Sequence, residues 1–297
     1  MREKISFYFE RNEGMNTDKK SIVYLHIATM LFGLSGVIRQ FVEVPSVTVA
    51  LGRVICSSPL LLGVIVAKKE KLCLDNRKDY FLIIAAGMVL AAHWTTFFQA
   101  IQVASVAIGT ISFSTYPLFL TFLEPLLFHE RIQKKGLIGA IILMIGVFIT
   151  IPEFSLENRV TVGIIWGLLS AVTYAVLTLA NRYFAKKYDE KLICFYEQGT
   201  TMIVLLPTLF LVRVQMKAQD IAGIILIGCV CTAVAYTLFV SAQKKVKAQT
   251  AGLISGLETV YGIVYAWILL GEIPTVREVV GGVVIISVAV FTSLQKE

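Results

Sequence analysis

Charge is scarce in this 297-residue chain. Asp, Glu, Lys and Arg make up 16% of it, where a soluble domain keeps near a quarter. With 57% hydrophobic residues and a mean hydropathy of +0.77, that shortage excludes an ordinary soluble enzyme. Cysteine is sparse too. Of Cys56, Cys73, Cys194, Cys229 and Cys231, all but Cys73 lie in apolar runs, and neither a CxxC nor a disulfide framework can be read. There is no P-loop, so ATP is not the energy source. His129-Glu130 lacks the second histidine of HExxH, and His26, His93 and His129 fall in separate segments. No metal or cofactor is therefore expected. Residues 1–20 are polar and charged rather than a cleavable leader, so the first span is expected to act as an uncleaved anchor.

What the chain does have is long apolar runs, with its charges gathered between them. A spanning helix takes about 20 residues. The runs place ten spans, roughly at 22–42, 46–67, 80–102, 105–128, 135–151, 161–184, 191–212, 220–241, 248–270 and 277–294. They are too long for barrel strands and lack the alternation such strands need, and helices satisfy their own backbone groups in lipid. The expected fold class is all-α integral membrane with ten transmembrane helices, leaving no room for a separate soluble domain.

The net charge of +7 does not point to nucleic acid, because the cations occupy alternate loops. Of the 27 Lys and Arg, 21 fall in the segments Arg2–Lys20, Lys68–Lys78, Arg131–Lys135, Arg182–Lys191, Lys244–Lys247 and at Lys296. The other segments hold only Arg39, Arg159, Arg213, Lys217 and Arg277, and Arg53 lies within a span. The positive-inside rule then puts both termini in the cytosol of a multi-pass inner- or plasma-membrane protein.

The stretch SVAIGTISFSTYPLFLTFLEPLLFHE, Ser105–Glu130, has an echo 142 positions on: KAQTAGLISGLETVYGIVYAWILLGE, Lys247–Glu272. The same offset sets Glu130 on Glu272, Gly139 on Gly281, Phe97 on Phe239 and Ala100 on Ala242. Identities are few, but apolar spans, breaks and closing glutamates stay in step. The reading is a cytosolic segment 1–21, then two five-span units, 22–151 and 161–297. Because five is odd, the units enter the membrane from opposite sides. Such inverted repeats are a common construction of secondary transporters, with the substrate site near the midplane between the halves.

These residues resemble EamA-type members of the drug/metabolite transporter superfamily. The likeness is carried by Phe32-Gly33, Ala100 and the small residues after it, Tyr116-Pro117, Glu130, Ala242, Glu258-Thr259 and Gly271-Glu272, and it covers nearly the whole chain. Phe32 stands where the family often has tryptophan, and Thr259 where it often has proline. The resemblance implies a ten-helix carrier of two five-helix repeats, and export or efflux of drugs or metabolites.

A charge within the membrane costs about 2.5–3.5 kcal/mol on insertion scales, so each needs a reason. Only Glu124, Glu197 and Glu258 among the acids fall inside spans. At about 1.5 Å of rise per residue, Glu124 and Glu197 lie toward the cytosolic face and Glu258 near the middle. Glu258 is the candidate to bind a cationic or amine group and to take up a proton; the alternative is a neutral glutamate hydrogen-bonded within the protein. Tyr116, its partner under the offset, and Ser255 join it in the central layer. Phe32 with Tyr174, and Trp94 with Tyr236, are offset pairs expected to line a cavity, which in small-molecule sites is mostly apolar with a few polar groups. His93 either relays protons or bonds a carbonyl. Arg53 is read as a structural charge, with a substrate carboxylate as its other reading. Glu124, Glu130, Glu197 and Glu272 are also read as structural: Glu197 pairs with a cation, and Glu130 and Glu272 cap or pin neighbouring helices. Gly163 with Gly167, and Gly252 with Gly256, form GxxxG pairs for close helix approach; Gly136, Gly139, Gly281 and Gly282 read as packing positions.

The expected function is a secondary active transporter, an exporter of a small organic metabolite such as an amino acid or amine-like compound. It would work by alternating access and couple to protons through Glu258. The rival is an intramembrane lipid-handling protein or enzyme, which needs acids or histidines clustered on a lipid-accessible cleft. A non-transporting sensor would need the soluble domain this chain lacks. Expected partners are the substrate, the bilayer and protons, with monomer and homodimer both open.

Overall fold

The computed structural model describes residues 2–128, 134–150, 155–246, 251 and 254–294, and among these it is all-helical. Helix α1 spans Arg2–Gln40, α2 Ser46–Ala67 and α3 Arg77–Val103. The first span was expected from residue 22, but α1 is continuous from Arg2, because residues 2–20 hold no proline and several good helix formers. Helices α4 (Val106–Phe113) and α5 (Tyr116–Phe128) come next, then α6 (Lys134–Thr150) and α7 (Arg159–Ala185). Side-chain oxygens of Asn76, Ser105 and Asn158 accept from Lys78, Ile108 and Val160 N–H groups at 3.0, 3.1 and 2.9 Å, so α3, α4 and α7 start capped.

Helix α8 (Glu190–Leu205) stops short of the run at 191–212, since Pro207 has no N–H to carry the helical ladder on and its ring crowds the preceding turn; a single turn, α9 (Thr208–Leu211), follows. Helix α10 (Ala218–Gly228) passes through a π-helical turn, Cys229–Val234, into α11 (Ala235–Ala242). The Thr232 hydroxyl bonds Ile227 O, five residues back, at 2.7 Å. Helices α12 (Glu258–Leu270) and α13 (Val276–Leu294) complete the chain. Among the described residues seven helices are long and apolar enough to cross a membrane, with Leu137–Ile149 and Glu258–Leu270 as shorter apolar helices.

Two helices break at corresponding places. The chain turns at Ser114-Thr115 and restarts at Tyr116; it turns at Gly256-Leu257 and restarts at Glu258. The 142-residue offset superposes these breaks and makes Tyr116 and Glu258 equivalent first residues. They are tied together: Thr259 Oγ1 donates to Thr110 O at 3.0 Å and bonds the Ser114 hydroxyl.

Packing interleaves the two parts of the sequence. Helix α3 lies on α7 and α8, α2 on α8 and the π turn, α1 on α11 and α12, and α6 on α13. Small residues set the closest approach, as the spacing of Gly163 and Gly167 predicts. A Cβ added at Gly163 would stand 2.5 Å from Ala104 Cβ, and one at Gly167 would overlap Ser112 Cβ. Both ends of the bundle are latched across the halves. At one end Lys217 pairs with Glu43, and Glu43 N–H donates to Asp220 Oδ1 at 2.8 Å. At the other, Asp79 accepts from the Tyr188 and Tyr183 hydroxyls at 2.6 and 2.9 Å, and Lys191 Nζ lies 3.2 Å from Glu70. Burial first, then the bond to Asp79, raises the Tyr188 phenol above its ordinary value.

Candidate functional site

Between the two latched ends lies a small cavity of about 30 Å³, room for about two waters. Seven helices supply its wall. Phe32 and Ser35 come from α1, Arg53 from α2, and His93, Trp94 and Phe97 from α3. Phe113 of α4, Tyr174 of α7, Tyr236 of α11 and Glu258 of α12 close it from the far side. Helix α1 comes close because Gly33 has no side chain: a Cβ there would lie 2.9 Å from Gly262 N and 3.1 Å from Glu258 O.

Six of the eight side chains read from the sequence therefore meet on one lumen: Phe32, His93, Trp94, Tyr174, Tyr236 and Glu258. The other two sit behind the wall. The Tyr116 ring stacks on Phe113 with centroids 5.3 Å apart and stands edge-on to Tyr174 at 4.8 Å. Ser255 lies against the Tyr116 and Tyr174 hydroxyls. Trp94 and Tyr236, one offset pair, touch edge-to-face at 5.9 Å, a preferred aromatic geometry. His93 Nδ1 bonds Ser170 O at 3.1 Å and its hydroxyl at 3.0 Å.

Arg53 is on the wall rather than apart from it. Its Nε donates to Thr232 Oγ1 at 2.8 Å, and its guanidinium lies 3.9 Å over the Trp94 ring. The π turn presents Thr232 to it, and π turns inside helices are frequent at functional sites. A depth count along a straight helix sets Arg53 off the central layer; the π turn, which no sequence pattern announces, brings its partner to it. The sequence reading also missed Ser35, Phe97 and Phe113 as lining residues. Phe97 carried a signal, its match to Phe239 under the offset.

The remaining structural charges have separate partners. Glu124 pairs with Arg182, joining α5 to α7. The Glu272 carboxylate accepts from Val106 N–H at the start of α4; burial first, with Glu278 adding, raises it above the ordinary carboxyl value. Glu130 and Gly252 lie outside the described residues. Glu197 meets no cation among the described residues. Its Oε2 accepts from the Tyr236 hydroxyl at 2.8 Å, and the Tyr236 hydroxyl oxygen in turn accepts from Asn181 Nδ2 at 2.7 Å. Glu197→Ala is expected to lower stability by about 1–3 kcal/mol, the cost of orphaning a buried donor, and Glu197→Gln by less. Thermal melts of the purified variants check this; equal melting temperatures for wild type and Glu197→Ala refute it.

Residues 19–151 and 161–294 each match the EamA-like transporter family model. An uncharacterized transporter of Archaeoglobus fulgidus is 27% identical over 192 residues, 65% of this chain and 68% of that relative. An S-adenosylmethionine uptake transporter of Rickettsia conorii is 23% identical over 282 residues, 94% of each chain. A pseudopaline exporter of Pseudomonas aeruginosa is 21% identical over 222 residues, 75% of this chain and 78% of that relative. A solved structure overlays with a TM-score of 0.67 at 16% identity, covering 95% of this chain and 97% of the other, which shows a shared fold.

Proposed function

This chain belongs to the EamA-like transporter family, and from that premise we propose that it is a secondary active transporter of a small organic metabolite such as an amino acid or an amine-like compound. In this reading ten helices form two inverted five-helix repeats, residues 22–151 and 161–297, behind a cytosolic segment 1–21. Both termini face the cytosol of the inner or plasma membrane. The matched breaks before Tyr116 and Glu258 support the repeat, because transporter sites are typically built at discontinuous helices of paired repeats.

The observation that carries the reading is the cavity itself: a carboxylate, a guanidinium and several aromatic rings on one lumen among helices of both halves. Substrate sites usually reach about 300–1,000 Å³, so a cavity of about 30 Å³ belongs to a contracted form. Substrate entry then requires one latched end to open: the Glu43–Lys217 end toward the outside, or the Asp79–Tyr188 end toward the cytosol. Glu258 is the coupling residue, exchanging a proton for the cationic part of the substrate. The acids do not form the cluster an intramembrane enzyme needs, since Glu124, Glu197 and Glu258 have separate surroundings. The direction is outward. Relatives carry names for both uptake and export, so the assay must read both.

Proteoliposomes preloaded with labelled amino acids or amines are expected to release them when a proton gradient is imposed, and empty vesicles to accumulate them under the reversed gradient. No flux above protein-free vesicles across such a panel would refute the transporter reading. Flux indifferent to the gradient would remove the proton coupling.

A further inference from the structure

Arg53 and Glu258 face the same lumen, yet they do not pair. Each feels the other's charge through space without a hydrogen bond between them. Opposite charges in a low-dielectric interior attract strongly, so something must hold them apart. Arg53 is tethered on the other side: its Nε bonds Thr232 Oγ1 at 2.8 Å, its Nη2 lies 3.5 Å from Cys231 O, and its plane sits over Trp94 at 3.9 Å and Phe98 at 5.1 Å. These contacts hold the guanidinium at the π turn and over the rings of α3. Among the described residues Nη1 has no hydrogen-bond partner, and the Glu258 carboxylate accepts no hydrogen bond. A buried guanidinium and a buried carboxyl group therefore stand across a lumen, each with hydrogen-bonding capacity left over. Unpaired buried charge is costly unless a ligand of matching charge completes it.

We propose that Arg53 is the substrate's anion anchor, opposite Glu258 as its cation anchor, so that the molecule carried is a zwitterion of the amino-acid type with an apolar or aromatic side chain. A guanidinium offers the fork that suits a carboxylate. Trp94 and Thr232 fix that fork before the ligand arrives, which lowers the ordering cost of binding. The side chain of the zwitterion packs on Phe32, Phe113 and Tyr174. An amine without the carboxylate leaves Arg53 unpaired, and an acid without the ammonium leaves Glu258 unpaired; sites with buried polar groups reject analogues that leave those groups unsatisfied. This inference rests on the transporter reading only for direction and coupling, because binding is measured without transport.

The test uses two matched triads on purified protein in detergent: L-phenylalanine, phenethylamine and 3-phenylpropionate, then L-leucine, isopentylamine and 4-methylpentanoate. Affinity is read from thermal stabilisation and tryptophan fluorescence. At least one amino acid is expected to bind about tenfold or more tightly than both of its half-analogues, the scale of one charged hydrogen bond. Arg53→Gln is expected to weaken amino-acid binding without weakening that of the amine, so that the two affinities converge. Arg53→Lys, which keeps the charge but loses the fork, is expected to fall between; it stands in if the glutamine variant does not fold. The proposal is overturned if amine and amino acid bind wild type alike, if neither amino acid binds at millimolar concentration, or if Arg53→Gln or Arg53→Lys weakens amine and amino acid equally. Zwitterion-selective binding with no flux in proteoliposomes sinks the transporter reading and leaves the anchor standing. Flux of amines without this selectivity does the reverse.

Discussion

Glu258→Gln is expected to abolish gradient-driven transport in proteoliposomes and to weaken binding of a cationic substrate group by about tenfold to a hundredfold, the worth of a hydrogen bond to a charged partner. Glu258 is only 4% exposed, begins α12 and faces the lumen with no side-chain hydrogen bond among the described residues. Its place in the first helical turn favours the negative charge, because backbone N–H groups and the helix dipole point there. Glutamine keeps the shape but can neither carry the charge nor release a proton. Substrate-driven exchange, which moves no net proton, is expected to survive at raised substrate concentration, so the two assays separate coupling from binding. Gradient-driven transport retained in Glu258→Gln would take the coupling role away from this residue and leave the cavity intact.

Replacing Gly163 and Gly167 together with leucine is expected to remove most folded protein, read as loss of the monodisperse peak in size-exclusion chromatography. The two glycines lie one turn apart on α7, where the Ala104 and Ser112 Cβ atoms already occupy the space a side chain would need. Those neighbours are fixed to backbone and cannot rotate away. Overpacking costs about 1–3 kcal/mol per site and sometimes more, and two such sites approach the roughly 5–15 kcal/mol of a typical fold. Shifting α7 off α4 would also part Tyr174 from Phe113, now 5.0 Å apart, and open the cavity wall. An exposed control, Leu169→Ala on the same helix, is expected to change little; Leu169 is 46% exposed. A double variant as stable as that control would mean the helices do not meet through these glycines.

Much of the site could be read beforehand because it lies in the repeat. Phe32 and Tyr174, Trp94 and Tyr236, and Tyr116 and Glu258 were found as offset pairs, and most of these side chains converge on one lumen. In the proposed repeat, equivalent positions of the two halves would come to equivalent depths around a shared centre. Arg53 and Glu197 were harder. Each was judged from its distance along a straight helix, and a long arginine side chain reaches well beyond its own turn. Glu197 was assigned a cation, but its partner is the Tyr236 hydroxyl, a tyrosine whose ring lies on the cavity wall. No linear spacing records which neighbour a buried carboxylate will meet across two helices.

By itself the amino-acid order determined that this chain is a bundle of apolar helices closed by small residues. Lipid allows few alternatives to helices, and the lengths of the runs are visible without folding. Only the tertiary structure decided that a guanidinium and a carboxylate would share one lumen and remain apart. That outcome depends on a π turn packed against α2, on two helix breaks and on the packing of α12 against α1 and α4, all of which are products of packing.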